Sequence, residues 1–137
     1  NVNVETNGIN LIGLEYMNAD LSTDDAHRVN DLTIAEELPK IKTNPALPRV
    51  LIHHSPVGME YAIKEKIPVM LTGHTHGGQF FPGQFLINAR FPNYKGRYDF
   101  NGLTLLVSRG LGTFGPPIRI GTFSEMQFVT LTPDTGT

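Results

Sequence analysis

Pro68-Val69-Met70-Leu71-Thr72-Gly73-His74-Thr75-His76 decides how this chain reads, because an apolar run of strand length ends directly in glycine and two histidines. Short apolar runs bounded by turn residues are expected to be buried strands. The same construction occurs upstream, where Arg49-Val50-Leu51-Ile52 runs into His53-His54 and then Ser55-Pro56. Between the two, Gly58 to Lys66 has the pattern of a short helix, so strand, helix and strand alternate as in an α/β unit. Ligands of open α/β sheets gather beyond the carboxyl ends of the strands, and both histidine groups are therefore expected to converge there.

A lone histidine beside a strand is ordinarily a satisfied polar residue. Here four of the five histidines stand at two adjacent strand ends, which reverses that expectation. In an extended segment His74 and His76, two positions apart, face the same way at roughly 6.6–7 Å. Metal–imidazole bonds are about 2.0–2.1 Å and cooperating metals sit about 3.5–4 Å apart, so this spacing suits one histidine on each ion of a pair. The fifth, His27, follows Asp24-Asp25 at a helix start and reads as a solvated residue.

Outward from this centre, Ile9 to Leu14 is expected to be a buried strand, and Ser22-Thr23-Asp24-Asp25 to cap a helix. That helix carries Leu32, Ala35 and Leu38 at helical spacing until Pro39. Downstream, Gln79 to Ile87 reads as a strand, Asp99 to Ser108 as a hairpin bent at Asn101-Gly102, and Met126 to Leu131 as a final strand. Phe80, Phe81, Phe85 and Phe91 are expected to pack in the core rather than wall a pocket. Residues 1–132 are expected to belong to one domain and 133–137 to form a flexible tail.

Composition excludes several classes. The chain has 137 residues, 18% of them charged, with a formal charge of −2 and no run of Lys or Arg, which argues against nucleic-acid binding by bulk charge. It contains no cysteine, so His and carboxylates are the strong metal ligands left. Fourteen Gly and ten Pro favour strands and structured loops over long helices. No apolar run approaches the ~18–20 residues of a membrane span, so any signal or anchor is expected before Asn1. No Gly-x-Ser-x-Gly elbow, Walker loop or dinucleotide fingerprint is present.

Gly73-His74-Thr75-His76-Gly77-Gly78-Gln79, preceded by His54-Ser55-Pro56, resembles the calcineurin-like metallophosphoesterases. Val107-Ser108-Arg109-Gly110-Leu111-Gly112 and Gly115-Pro116-Pro117-Ile118-Arg119 are similar to the bacterial phosphohydrolase branch of that family, and the likeness covers nearly the whole chain. The resemblance implies an α/β fold, the C-terminal half of a four-layer α/β/β/α sandwich, contributing mainly its second sheet and one or two helices. It implies metal-dependent hydrolysis of phosphate esters by two divalent ions, Mn, Fe or Zn, which activate a bridging water for in-line attack. By its motifs His54 and His74 join one ion and His76 the other. His53 and Arg109 are candidates for contact with substrate, Arg109 through its fork of donors.

The family's G-D-x-x-D and G-N-H-D/E motifs do not occur here, and the one D-x-H, Asp25-Ala26-His27, falls at the helix start where His27 reads as solvated, so the bridging carboxylate and the catalytic acid are missing. No catalytic residue is therefore assigned within the chain. Three neutral imidazoles do not offset the charge of two close divalent ions. The chain is thus expected to be a fragment, partnered by a missing N-terminal half, binding metal partially or not at all, inactive by itself and liable to self-association through an exposed sheet face. Two other readings stay open: a non-catalytic binding or scaffold module derived from this fold, and a mononuclear zinc hydrolase using His54, His74 and His76.

Overall fold

The computed structural model describes residues 1–15 and 34–132. Among them six strands form one sheet: β1 (Val2–Thr6), β2 (Ile9–Gly13), β3 (Arg49–Ile52), β4 (Val69–Thr72), β5 (Gly96–Phe100) and β6 (Leu103–Val107). Their spatial order is β1-β2-β3-β4-β6-β5. The four central strands are mutually parallel, and an antiparallel hairpin arm, β1 or β5, closes each edge. Two helices accompany them, α1 (Met59–Lys64) after β3 and α2 (Gly83–Arg90) after β4.

Strand alternation divides the sheet into two unlike faces. Ile12, Leu51, Met70 and Leu105 stand in register across four strands, each at most 1% exposed, and Tyr98 of β5 extends the row. Ala62 of α1, with Ile34, Leu38, Val57 and Ile67, packs over this row and completes the core. Asn10 also points to this side and is fully buried. Its amide donates to the carbonyls of Asn44 and Leu47 at 2.9 and 3.0 Å and accepts from the Asn44 N–H at 3.0 Å, fixing the turn that feeds β3. On the opposite face Val4, Leu11, Val50 and Val69 lie in register, with Val2 and Ile52 one row along. This face is open in part: Val2, Val4 and Ile52 are each 40% exposed or more, whereas Val50 is 3% exposed.

The hairpin at Asn101-Gly102 forms as expected, with Gly102 at φ 82° between β5 and β6. Two expected strands do not. Gln79 to Ile87 is instead a tight turn, a single bridge from Phe80 to Ile120, and then α2, because Gly77 and Gly78 turn the chain back with left-handed φ. A short apolar run does not separate helix from strand, and here the helix prevailed. Met126 to Leu131 joins no sheet, since β5 occupies the free side of β6 that a further strand would need. Phe80, Phe81 and Phe85 are exposed rather than core, whereas Phe91 packs against the core. Residues 34–37 are helical and continue into a 3-10 turn at Leu38–Lys40, so helix does end around Pro39. The expected cap at Ser22–Asp25, Leu32, His27 and the 133–137 tail lie outside the described residues. No helix among the described residues is long and apolar enough to cross a membrane.

Candidate metal centre

The parallel strands bring their carboxyl ends to one edge. Backbone bonds continue past the strands themselves: Leu14 N–H donates to Ile52 O, His53 N–H to Leu71 O, Gly73 N–H to His54 O and Ser108 N–H to Thr72 O, all at 2.8–3.1 Å. This ladder fixes His54 beside Gly73-His74.

His54 Nε2 and His74 Nδ1 face each other at 2.8 Å, with ring centroids 4.7 Å apart. Two imidazole nitrogens on one ion, each about 2.0–2.1 Å from it, are about 3.0–3.4 Å apart at ordinary coordination angles. The pair thus fits a shared divalent ion after a shift of a few tenths of an ångström. Phe91 braces the far side of His74, edge to face at 5.4 Å. Partial desolvation lowers the His54 pKa from its ordinary value, and the nearby His76 acts in the same direction, so the ring is held in the neutral form that metals require.

His53 is placed differently. Alternation sends it toward the core, where it is 2% exposed and its Nδ1 bonds the Ser55 carbonyl at 2.9 Å. Burial lowers its pKa as well. The histidine loop is not the extended segment expected from the spacing: His74 and His76 have φ of 71° and 50°, and Gly77 and Gly78 follow with positive φ. Thr75, 4% exposed, ties this coil down by donating from Oγ1 to the Tyr94 carbonyl at 2.5 Å and accepting from Gly77 N–H.

A Cβ at Gly78 would lie 2.5 Å from Gln84 Cα, and one at Gly77 would lie 2.8 Å from Arg109 Cγ, so close packing of chain on chain requires both glycines. Arg109 pairs with Glu125, Nη2 to Oε2 at 2.5 Å and Nε to the same oxygen at 2.6 Å. Burial pushes the Glu125 carboxyl up, but the bonds from Arg109 and Gln127 outweigh it and hold the group below the usual range.

Two residues that sequence reasoning passed over fasten the C-terminal segment, and one of them reaches His76. Gln79, 5% exposed, donates to Phe114 and Pro116 carbonyls at 2.7 and 3.1 Å and accepts from Phe114 N–H. Arg119 donates to the His76 carbonyl at 3.0 Å. Their signal in the sequence is weak: a lone cation and a lone amide among Gly, Pro and apolar neighbours. Among the described residues no group of three or more His, Cys, Asp or Glu side chains is assembled closely enough to hold an ion. The site as described is a histidine pair, His54 with His74, and a third histidine close by.

An uncharacterized metallophosphoesterase of Campylobacter jejuni is 34% identical over 128 residues, covering 86% of this chain and 34% of that protein. The chain belongs to the metallophosphoesterase superfamily. Another metallophosphoesterase, from Helicobacter pylori strain J99, is 35% identical over 67% of this chain and 25% of its own length. A zebrafish transmembrane protein with metallophosphoesterase domain is 34% identical over 61% and 20%, so the superfamily likeness is not confined to bacteria. The chain spans about a third or less of these relatives. No family model matches it, and no solved structure matches it significantly. The described part of this chain is a mixed α/β fold with one sheet and a helical layer on one face.

Proposed function

We propose that this chain supplies histidine ligands to a two-metal phosphoesterase, His54 and His74 to one divalent ion and His76 to a second. The observation that carries the reading is the 2.8 Å approach of His54 Nε2 to His74 Nδ1 at the carboxyl ends of adjacent parallel strands. Bound there, divalent ions polarise phosphoryl oxygens and acidify a water. The chain's own residues keep ligands neutral and aimed: desolvation suppresses protonation of His54, Phe91 fixes the His74 ring, and the Thr75 anchor holds the coil between His74 and His76.

Carboxylate ligands and the acid for the leaving group come, in this reading, from residues beyond those described, because three neutral imidazoles do not balance two divalent charges. A phosphate ester then lies over the open basin lined by Leu14, Ile52, His54, Leu71 and Gly73. His53 borders the same basin from the core side and enters as a support for His54. Arg109, already engaged by Glu125, reaches a phosphate only by exchanging that partner.

Metal content and turnover of the full-length protein test the reading, with bis(p-nitrophenyl) phosphate and p-nitrophenyl phosphate as substrates and manganese supplied. Replacing an outer partner of a metal ligand costs about 10–100-fold, so loss of a ligand is expected to cost more. His54→Ala and His74→Ala are expected to lose the same ion, and His76→Ala the other, each with turnover reduced more than ~100-fold. Unchanged turnover in His76→Ala refutes the assignment.

A further inference from the structure

We infer that Arg119 is the positioning residue of the histidine loop, holding His76 in its ligating conformation and tying the loop to the C-terminal segment; the inference rests on the metal-ligand reading of His76. Arg119 is half-buried, its Nε is buried without a partner, and its two Nη groups are spent on the main chain. Nη1 donates to the His76 carbonyl at 3.0 Å and makes a longer contact to that of Phe123. Nη2 donates to the carbonyls of Arg109, Gly110 and Gly112 at 2.8, 3.0 and 2.5 Å. The same Nη2 lies 3.5 Å from His76 Nδ1.

Three points select this residue. His76 has φ 50°, a conformation costly for a residue with a side chain, and restraints beyond the Gln79 N–H bond to its carbonyl at 3.1 Å help to keep it there. The Arg119 bond to its carbonyl is such a restraint, coming from forty-three positions away in sequence. Among the described residues no carboxylate pairs with Arg119, so its charge is balanced by carbonyl dipoles and its geometry is set by them. A lysine cannot reproduce this: it lacks the planar fork that reaches the His76 carbonyl and the 109–112 turn at once. Nη1 and Nη2 are already directed at protein oxygens, which makes Arg119 a positioning residue rather than a phosphate ligand.

The test compares Arg119→Gln, Arg119→Lys, Gln79→Asn and His76→Ala in the full-length protein. Binding of Co(II) is followed by calorimetry and by its visible absorption, with thermal unfolding recorded in parallel. Gln79→Asn loosens the same C-terminal loop, since the shorter amide no longer reaches Phe114 and Pro116, yet leaves the Arg119 contacts in place. Arg119→Gln is expected to weaken one ion about 10–100-fold and to alter its absorption while the other ion keeps its affinity. Arg119→Lys, which retains charge and stem, is expected to lose several-fold and to serve if the glutamine variant does not fold. Gln79→Asn is expected to keep the wild-type spectrum even where its unfolding temperature falls. The inference is overturned if both Arg119 variants retain wild-type affinity and spectrum, or if Gln79→Asn reproduces their loss. If His76→Ala itself loses no ion, the ligand assignment of His76 fails and the inference with it. If His76→Ala loses an ion while the Arg119 variants do not, only the role of Arg119 falls.

Discussion

The two histidine groups end neighbouring parallel strands, yet they are built by opposite means. His53 and His54 continue an extended strand, and the pleat sends adjacent side chains to opposite sides: His53 into the core, His54 toward His74. His74 and His76 each have left-handed φ on either side of a right-handed Thr75, a tight coil that turns His74 to His54 and leaves His76 under Arg119. Adjacency in an extended chain separates two side chains, whereas a coil spends backbone strain to aim them. Within the first group His53 is therefore fixed by burial, the second group is held by a set of restraints, and the two should fail differently.

The largest difference is expected from the glycines of the coil. Gly78→Ala places a Cβ 2.5 Å from Gln84 Cα at φ 79°, against backbone that has no means of yielding. Left-handed conformation costs a non-glycine residue about 1–2 kcal/mol and overpacking about 1–3 kcal/mol, so Gly78→Ala is expected to destabilise by roughly 2–5 kcal/mol in denaturant unfolding. Gly77→Ala meets only the side chains of Arg109 and Thr122 and is expected to cost less. Equal costs would mean that Gln84 and α2 are not firmly seated on the coil.

Next in size is a pH effect confined to the strand-end group. Burial depresses the His53 pKa below its ordinary 6.5, so the fold holds the ring neutral while the unfolded chain takes up a proton first. Its contribution is fully present above pH 6.5 and is lost as pH falls below that value toward the depressed folded pKa. For one such group the slope is at most about 1.4 kcal/mol per pH unit. Metal-free wild-type protein is expected to lose stability below pH 6.5, and His53→Met to lose less. An identical pH profile in the variant would assign the whole effect to His54, whose pKa is lowered in the same sense.

This contrast also explains what was legible in the sequence. The central strands, α1 and the Asn101-Gly102 hairpin follow from runs of apolar residues closed by turn signals, which is local information. The β1–β2 hairpin was missed although Asn7-Gly8 carries the same turn signal, with φ of 48° and 79°. It is an edge arm with an exposed face, so its first strand lacks a continuous apolar run. α2 was misread because Phe85, Leu86 and Ile87 are apolar yet unburied. The histidines themselves were visible. Their supports, Arg119 and Phe91, act across long sequence separations and appear only when the loops are folded together.

The finest distinction concerns whether the coil is held by its own geometry or by its anchor. Thr75 Oγ1 joins the loop to Tyr94, and its removal leaves the Tyr94 carbonyl and the Gly77 N–H without that partner. Thr75→Val keeps the volume and removes both bonds, so the expected cost is about 1–3 kcal/mol, at about 0.5–1.5 kcal/mol for each. Because the Gly78 N–H still donates to the Thr75 carbonyl at 2.9 Å and Arg119 still holds His76, the coil should survive the change. Amide hydrogen exchange is then expected to speed up at Gly77 and to stay protected at Gly78. If protection is lost at both, the anchor rather than the glycine-permitted turn holds the loop, and the restraint on His76 begins at Tyr94 instead of at Arg119.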